Sequence, residues 1–284
     1  MSAPTIRSPA GEFWRRLRRR HTALVAGGIV VLIVLIAALA PVIAPYDPAA
    51  ADYDAVLQGP SFAHLAGTDS YGRDILSRII WGGRISLAVG LISALAGGLV
   101  GTAVGLLSGW KGGWVDTALM RLCDVLFAFP GILLAIAVVA LLGPGVANVI
   151  WAVAVFSVPV FARLVRGTTM ALKQAQYVQA ARTIGVPAGK MLLYHILPGA
   201  LPVVIVYMSL RIGSAILVGA ALSFIGLGAQ PPSPEWGAML ADGRSYLGVA
   251  DHLTLFPGLA IFVVVLSFNV LGDGLRDALS QRIQ

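Results

Sequence analysis

The residue types that carry catalysis and metal binding are few in this sequence, and none of them forms a known catalytic motif. The histidines are scattered without the spacing of metal ligands: His21, His64, His195 and His252. No nucleotide phosphate loop occurs, because Gly189-Lys190 is followed by Met191 and lacks the upstream glycine. The His-Glu-x-x-His and Gly-x-Ser-x-Gly motifs are also missing. We therefore expect no catalytic residue, no metal site and no ATP bound by this chain.

Three charged residues stand out because they lie in or beside long apolar stretches. Arg121 and Asp124 are three residues apart, so on a helix they share a face and can pair, which lowers the cost of each charge. We favour such a neutralised pair over a functional site. Arg211 has no partner within a helical turn, so it either lines a pathway or pairs with another helix.

The composition excludes an ordinary soluble domain. The 284 residues are 58% hydrophobic and 12% charged, whereas soluble proteins have about 25% charged residues. This apolar content also excludes a disordered chain and a nucleic-acid-binding module, and the one cysteine, Cys123, excludes a disulfide scaffold. The sequence therefore predicts an all-α membrane protein.

Six apolar stretches are long enough to cross a bilayer, which takes about 20 residues in a helix. The turn signal Gly143-Pro144-Gly145 divides the third from the fourth. The predicted helices are 22–45, 84–109, 117–142, 146–165, 197–228 and 253–273. The segments between and around them are a tail at 1–21, outer segments at 46–80 and 229–252, a loop at 166–196 and a tail at 278–284.

The distribution of charge predicts the orientation. Lys and Arg are concentrated in the tail at 1–21 and in the loop at 166–196, while Asp and Glu are concentrated in the two outer segments. Basic loops stay in the cytoplasm, so both termini are predicted to be cytoplasmic. We interpret the net charge of +7 as a determinant of topology rather than a nucleic-acid footprint. The first stretch is too long for the apolar part of a signal peptide and is interpreted as an uncleaved anchor.

The second predicted helix carries a glycine at every fourth position, from Gly97 through Gly101 and Gly105 to Gly109. Small residues on one face let two membrane helices approach closely. We expect tight packing inside the bundle, with a substrate-lining surface as the alternative.

The loop between the fourth and fifth helices predicts a rigid projection. Gln174–Thr183 has the pattern of a short amphipathic helix, Gly185 ends it and Pro187 begins a second turn. Two short helices joined at a glycine can fit a groove in a partner protein. An interfacial helix pair lying on lipid is the alternative.

These patterns carry a family resemblance. Gln179-Ala180-Ala181-x3-Gly185 followed by His195-Ile196-Leu197-Pro198 resembles the "EAA" loop in permease subunits of bacterial ABC importers. The other matching stretches are Ala44-Pro45-Tyr46-Asp47-Pro48, Gly67-Thr68-Asp69-x2-Gly72-Arg73-Asp74-x2-Ser77-Arg78, Leu222–Gly228, Pro231-Pro232, Trp236-Gly237 and Gly272–Asp277. Together they are similar to the C-type permease of dipeptide/oligopeptide/nickel transporters.

The resemblance implies a type I importer permease fold, with a permease domain at 81–277, in the bacterial inner membrane. It implies a B-type permease partner, two ATPase subunits that bind ATP and Mg, and an external binding protein. The loop residues that would couple to the ATPases are Gln179, Ala180, Ala181, Arg182, Gly185, His195, Leu197 and Pro198. The outer segments would dock the binding protein, and peptides are the expected cargo, with nickel, glutathione or haem as alternatives.

Two departures from the family pattern affect this interpretation. Gln179 stands where the family loop has Glu, and Gly219 stands where relatives place an acid in the fifth helix. Two other classes of protein are alternatives. A self-sufficient secondary transporter predicts inverted repeats and mid-membrane ionisable residues, and an intramembrane enzyme predicts a nucleophile or metal constellation. The sequence shows no obvious repeat and no such constellation, and its intramembrane acids are limited to Asp124.

Overall fold

The computed structural model of the protein describes residue 15 and residues 17–280. Most of the predicted basic tail, including Arg7 and Arg16, and the last four residues lie outside this part. The described residues contain helices and no β-strand, in agreement with the predicted all-α class. In chain order the helices are α1 His21–Ala38, α2 Ala40–Ile43, α3 Ile75–Lys111, α4 Gly113–Phe127, α5 Gly131–Leu142, α6 Val146–Leu172, α7 Gln176–Thr183, α8 Ala188–Met191, α9 Leu197–Phe224, α10 Trp236–Gly243 and α11 His252–Ser280.

Five helical stretches are long and apolar enough to cross a membrane: α1, α3, α6, the run Ala188–Phe224 that contains α9, and α11. A sixth crossing is formed if α4 and α5 count as one span, and these two meet at an angle of 89°. The sequence predicted one continuous helix over 117–142. The break falls at Pro130, because proline has no amide hydrogen and disfavours a helical conformation in the residue before it.

Two helices extend beyond the ends that the hydropathy pattern predicted, and in both the added residues include charged ones. Helix α3 begins at Ile75 rather than at residue 84, because the carboxylate of Asp74 accepts a hydrogen bond from the amide of Ser77 at 2.7 Å and caps the helix. Helix α6 continues to Leu172 rather than ending at residue 165. A charged residue marks depth in the membrane and does not itself end a helix.

Helices α3 and α6 pack against each other along the glycine stripe. A methyl group on Gly97 would lie 2.5 Å from the carbonyl oxygen of Ala154, and one on Gly101 would lie 2.5 Å from that of Val158. Gly105 and Gly109 meet the next turns of α6 in the same way. The stripe is buried under α6. This confirms the predicted tight helix packing and not the alternative, a substrate-lining surface.

The two ends of the bundle carry different structures. We call residues 44–74 and 225–251 the cap, and residues 173–196 at the other end the knob. Apolar residues of the cap, which include Ala66, Trp236 and Met239, belong to one core with the adjoining ends of the bundle. The knob has its own core, in which Val178 and Met191 pack together with bundle residues.

Candidate functional site

The knob contains the short amphipathic helix that the sequence predicted, beginning at Gln176 rather than at Gln174. Val178 and Ala181 are its buried residues and face the bundle. The opposite face exposes Gln179, Ala180 and Arg182. Of the predicted coupling residues in this helix, Ala181 is therefore buried against the bundle, and the other three are exposed.

The end of α7 is fixed by a hydrogen-bonded glycine turn. The amide of Gly185 donates to the carbonyl of Arg182 at 3.1 Å, and that of Val186 donates to the carbonyl of Ala181 at 3.2 Å. This pair of bonds is the Schellman motif, which needs a residue with positive φ. Gly185 has a φ of +80°, and a methyl group there would meet no atom within 4 Å. Glycine is required at 185 by the backbone and not by crowding.

The return of the chain to the bundle differs from the sequence prediction. The second short helix, predicted to begin at Pro187, continues as α8 through a π-helical turn at Leu192–Ile196 into α9 without a break, whereas the sequence ended it in the loop at 166–196. Pro198 directly follows the π-helical turn, at the point of this run where the backbone hydrogen-bond pattern changes. The knob thus joins the fifth span as one helical rod, and a displacement of α8 passes directly to α9.

The tip of the knob is apolar and exposed. Ile184 is 82% exposed and Tyr194 is 72% exposed. The side-chain amide of Gln179 donates to the carbonyl of Lys173 at 2.7 Å. The carboxylate of a glutamate has no hydrogen to donate, so this contact with the end of α6 requires an amide at position 179.

Lys173 fastens the base of the knob to the bundle. Its Nζ donates to the carbonyl of Trp110 at 2.6 Å and lies 5.5 Å from the centre of the indole ring. Trp110 belongs to the last turn of α3, where carbonyl groups favour a cation. The knob is therefore fixed to α3 through Lys173 and continuous with α9 through α8.

The outer-segment motif forms one folded loop in the cap. Its predicted residues are brought together: Gly67, Thr68, Asp69, Gly72, Arg73 and Asp74. Asp69 accepts from the Nε of Arg73 at 2.7 Å, and Asp74 pairs with the Nδ1 of His64 at 3.0 Å while it caps α3. A methyl group on Gly72 would lie 1.6 Å from the carbonyl oxygen of Asp52, so glycine is required there.

The sequence did not indicate which residues join the two halves of the cap. Arg78 donates to the carbonyl oxygens of Pro48 at 2.9 Å and Pro232 at 3.3 Å. Glu235 is 2% exposed and accepts from the hydroxyl of Ser86 at 2.9 Å. These contacts join residues up to about 150 positions apart, so no local spacing could indicate them.

A cavity of about 150 Å³ opens between the cap halves, lined by residues that include Arg73, Arg78, Gln230 and Asp242. Partial burial raises the pKa of the Asp242 carboxyl above its ordinary value, and the positive charges of Arg78 and Arg73 oppose that increase. The cap thus presents both charge signs around one opening at its end of the bundle.

The predicted pairing of Arg121 with Asp124 is wrong. Asp124 instead pairs with Arg163 of α6 at 2.6 Å, and the guanidinium of Arg163 lies 4.1 Å from the centre of the Phe127 ring. Arg121 is exposed. The sequence placed Arg163 near the end of its helix, but α6 extends beyond it and brings it against α4.

A second ion pair between the same helices was not anticipated. Arg166 donates to both carboxylate oxygens of Asp116, at 2.5 and 2.6 Å. Asp116 also accepts from the hydroxyl of Ser108. A two-bond arginine–carboxylate pair fixes geometry as well as charge, so α4 is joined to α6 at two levels.

Arg211 pairs with another helix, but not with a charge. Its Nε lies 3.0 Å from the Oγ of Ser157, and its guanidinium lies 4.4 Å from the centre of the Phe156 ring. Both partners belong to α6. Its Nη2 is buried without a hydrogen-bond partner in the described chain.

Gly219 lies in the interior of the bundle. A methyl group there would lie 2.5 Å from the Cγ1 of Val89 in α3. A carboxylate at 219 would require α3 and α9 to separate. The packing of this chain is therefore built for glycine at this position.

Two family models match the chain. The model for the binding-protein-dependent transport system inner membrane component matches residues 101–284. The model for the N-terminal TM domain of oligopeptide transport permease C matches residues 8–60.

Curated relatives match over nearly the whole chain. The glutathione transport system permease protein GsiD of Salmonella paratyphi A is 57% identical over 280 residues, which cover 98% of this chain and 92% of the relative. The protein of the same name from Pectobacterium atrosepticum is 56% identical over 281 residues, covering 99% and 93%.

Solved structures of ABC transporters share the fold at low sequence identity. An inward-facing MetNI methionine ABC transporter aligns with a TM-score of 0.59 and 19% identity, covering 72% of this chain and 97% of the other. An amino acid ABC transporter crystallised with histidines aligns with a TM-score of 0.55 and 16% identity, covering 74% and 95%. The predicted type I permease fold is thereby confirmed.

These matches agree with the motif-based resemblance and with the bundle of apolar helices. The chain belongs to the binding-protein-dependent transport system inner membrane components, as a C-type permease subunit of the dipeptide/oligopeptide/nickel group of ABC importers, and is a multi-pass protein of the bacterial inner membrane.

Proposed function

We propose that this chain and a B-type permease subunit together form the transmembrane pathway of an importer whose cargo is glutathione. The single observation that carries the cargo assignment is 57% identity to a glutathione permease over 98% of the chain. The sequence alone favoured di- or oligopeptides and kept glutathione as an alternative. Glutathione is itself a tripeptide, so assigning it as the cargo stays within the class of short peptides. The same identity argues against nickel and haem as the cargo.

We infer that both termini and the knob face the cytoplasm and that the cap faces outward. Six crossings, with α4 and α5 counted as one span, place both termini on one side. The ion pair between Arg20 and Asp277, at 3.1 Å, supports this by joining the start of α1 to the end of α11. The basic residues Lys173, Arg182 and Lys190 of the knob support the cytoplasmic assignment.

The knob is the proposed contact with the two ATPase subunits, which bind ATP and Mg. The exposed apolar tip at Ile184 and Tyr194 supports insertion into a groove of a partner protein. The Schellman turn keeps the tip rigid, and the continuity of α8 with α9 lets a push on the tip move the fifth span. The cap is the proposed docking surface for an external binding protein that delivers the cargo.

Coupling is tested by changing the glycine turn in the complex reconstituted with its ATPases and binding protein. Gly185→Ala forces an alanine into positive φ, which costs about 1–2 kcal/mol. Gly189→Ala is the matched control, because it also meets no atom within 4 Å but lies in a helix with ordinary φ. We expect ATP hydrolysis to continue in both variants and uptake to fall only in Gly185→Ala. Equal uptake by the two variants contradicts the coupling role.

The cargo and the energy source are tested together by uptake of labelled glutathione into proteoliposomes. Uptake should require the ATPases, ATP and the binding protein. Glutathione uptake by the permease pair without ATPases contradicts the importer assignment and favours a secondary transporter. Uptake of dipeptides but not of glutathione contradicts the cargo assignment alone.

A further inference from the structure

An arginine occupies the middle of the fifth span. Arg211 lies halfway along α9, which covers Leu197–Phe224. A helix of this length spans a bilayer, so the guanidinium sits near mid-membrane depth. There it contacts a serine hydroxyl and the face of an aromatic ring, both on α6.

The charge of Arg211 is not neutralised within the described residues. Its contacts are the Oγ of Ser157 and the ring of Phe156, and no carboxylate oxygen of the described chain lies within salt-bridge distance. Its Nη2 is buried and has no acceptor. A cation held in the membrane without a counter-ion costs several kcal/mol, and such residues mark substrate pathways or face water.

Arg211 lies on a face of the molecule that the chain itself leaves partly uncovered. Along α9, Tyr207, Arg211 and Ser214 follow each other at helical spacing and are exposed or half-buried. Beside them on α6, Phe156 and Arg163 are likewise uncovered, and Arg163 carries the half-exposed ion pair to Asp124. A row of charged and hydroxyl groups is too costly to face lipid. This face, which we call the polar face, therefore borders water or the partner permease.

The chemistry of Arg211 fits a carboxylate in transit. Arg211 is half-buried, so part of its guanidinium borders the uncovered face, and a guanidinium donates to a carboxylate in a directed geometry. The adjacent Phe156 ring excludes water and strengthens that contact. Asp124, the acid on the polar face, is paired with Arg163 and does not compete for Arg211. Glycine at 219 places no acid at that position of the fifth span.

We propose that Arg211 is a specificity-determining residue of the pathway and binds a carboxylate of the short peptide as it crosses the membrane. This inference rests on the proposed function, because it assigns a contact for the anionic cargo named there. If Arg211 has this role, the transporter imports peptide acids faster than peptide amides, and the permease rather than the binding protein causes this preference.

The test compares peptide acids with their amides in proteoliposomes that hold the complete transporter. Initial uptake is measured for glutathione and for each of its two monoamides, at saturating loaded binding protein, with wild type, Arg211→Gln and Arg211→Lys. The binding protein is the same in every sample, so a change in the acid-to-amide ratio reports on Arg211. Leu217→Ala, on the same helix but outside the polar face, is the matched control, because Leu217 is also uncovered by the chain.

We expect wild type and Leu217→Ala to import glutathione roughly tenfold faster than one of the two monoamides, as the loss of a charge-assisted hydrogen bond predicts. Arg211→Gln should bring that ratio close to one, and Arg211→Lys should give an intermediate ratio. An equal loss of uptake for acid and amides in Arg211→Gln overturns the proposal and assigns Arg211 to packing or to the partner permease. Unchanged ratios in both variants overturn it as well.

A second peptide pair distinguishes a wrong cargo assignment from a wrong role for Arg211. If wild type does not import glutathione, the cargo assignment fails, and trialanine and trialanine amide then decide the role of Arg211 by the same ratios. If wild type imports neither peptide acid, both the cargo assignment and the role of Arg211 are refuted. If Arg211→Gln does not assemble with its partners, the ratio in Arg211→Lys decides.

Discussion

The packing of α3 on α6 predicts the effect of adding one methyl group at Gly101. In Gly101→Ala the new Cβ would lie 2.5 Å from the carbonyl oxygen of Val158 and 2.6 Å from the Cβ of Phe161. Ordinary van der Waals contact begins at 3.4 Å. The helices must therefore separate by roughly 0.9 Å, and overpacking of this kind costs about 1–3 kcal/mol.

The matched control is Gly167→Ala on the facing helix. A methyl group at 167 meets no atom within 4 Å, so this substitution should be neutral or should stabilise α6 by up to about 1 kcal/mol through helix propensity. Both changes replace a helical glycine by alanine in the same two-helix unit. Their difference isolates the close approach of the helices.

The single cysteine provides the assay. Cys123 is 3% exposed, and the chain has no other thiol. A fluorogenic maleimide added during a slow temperature ramp in detergent reports the exposure of this thiol. We expect the transition of Gly101→Ala to fall by roughly 2–12 °C relative to wild type, and that of Gly167→Ala to stay level or rise. Equal transitions for the two variants would refute the packing of α3 on α6.

Three further substitutions test other contacts. Asp116→Asn removes the two-bond pair with Arg166 and should destabilise the fold by about 1–3 kcal/mol, which the thiol assay reports as a lower transition temperature. An unchanged transition temperature would show that the pair is not formed. Glu235→Ala removes the cap of α10 and the partner of Ser86, so the same assay should report a loss of about 1–2 kcal/mol. Gln179→Glu loses the bond to Lys173, so hydrogen exchange of α7 amides should accelerate by up to about tenfold, and unchanged exchange would contradict that contact.

Hydropathy and local motifs predicted the fold because the bilayer imposes a length on each apolar helix. The helix count, the glycine stripe from Gly97 to Gly109 and the turn at Gly185 are all encoded by neighbouring residues. The break at Pro130 could also have been predicted from proline chemistry. It was overlooked because the surrounding residues are uniformly apolar.

The contacts of the charged residues could not be predicted from local spacing. Asp124 has an arginine three residues away in Arg121, yet it pairs with Arg163 on another helix. Helix packing decides which of the two arginines reaches the carboxylate. The same is true of Glu235 and Ser86, and of Arg211 and Ser157.

The coupling function of the knob can be measured directly by photo-crosslinking in the assembled transporter. A photoreactive phenylalanine analogue is placed at Ile184, at the tip of the knob, or at Val249 in the cap, which are both 82% exposed. Irradiation should join Ile184 to an ATPase subunit, whereas Val249 should give no ATPase adduct. An ATPase adduct from Val249, or none from Ile184 in a transporter that hydrolyses ATP and imports cargo, would contradict the proposal that the ATPases drive this permease through the knob.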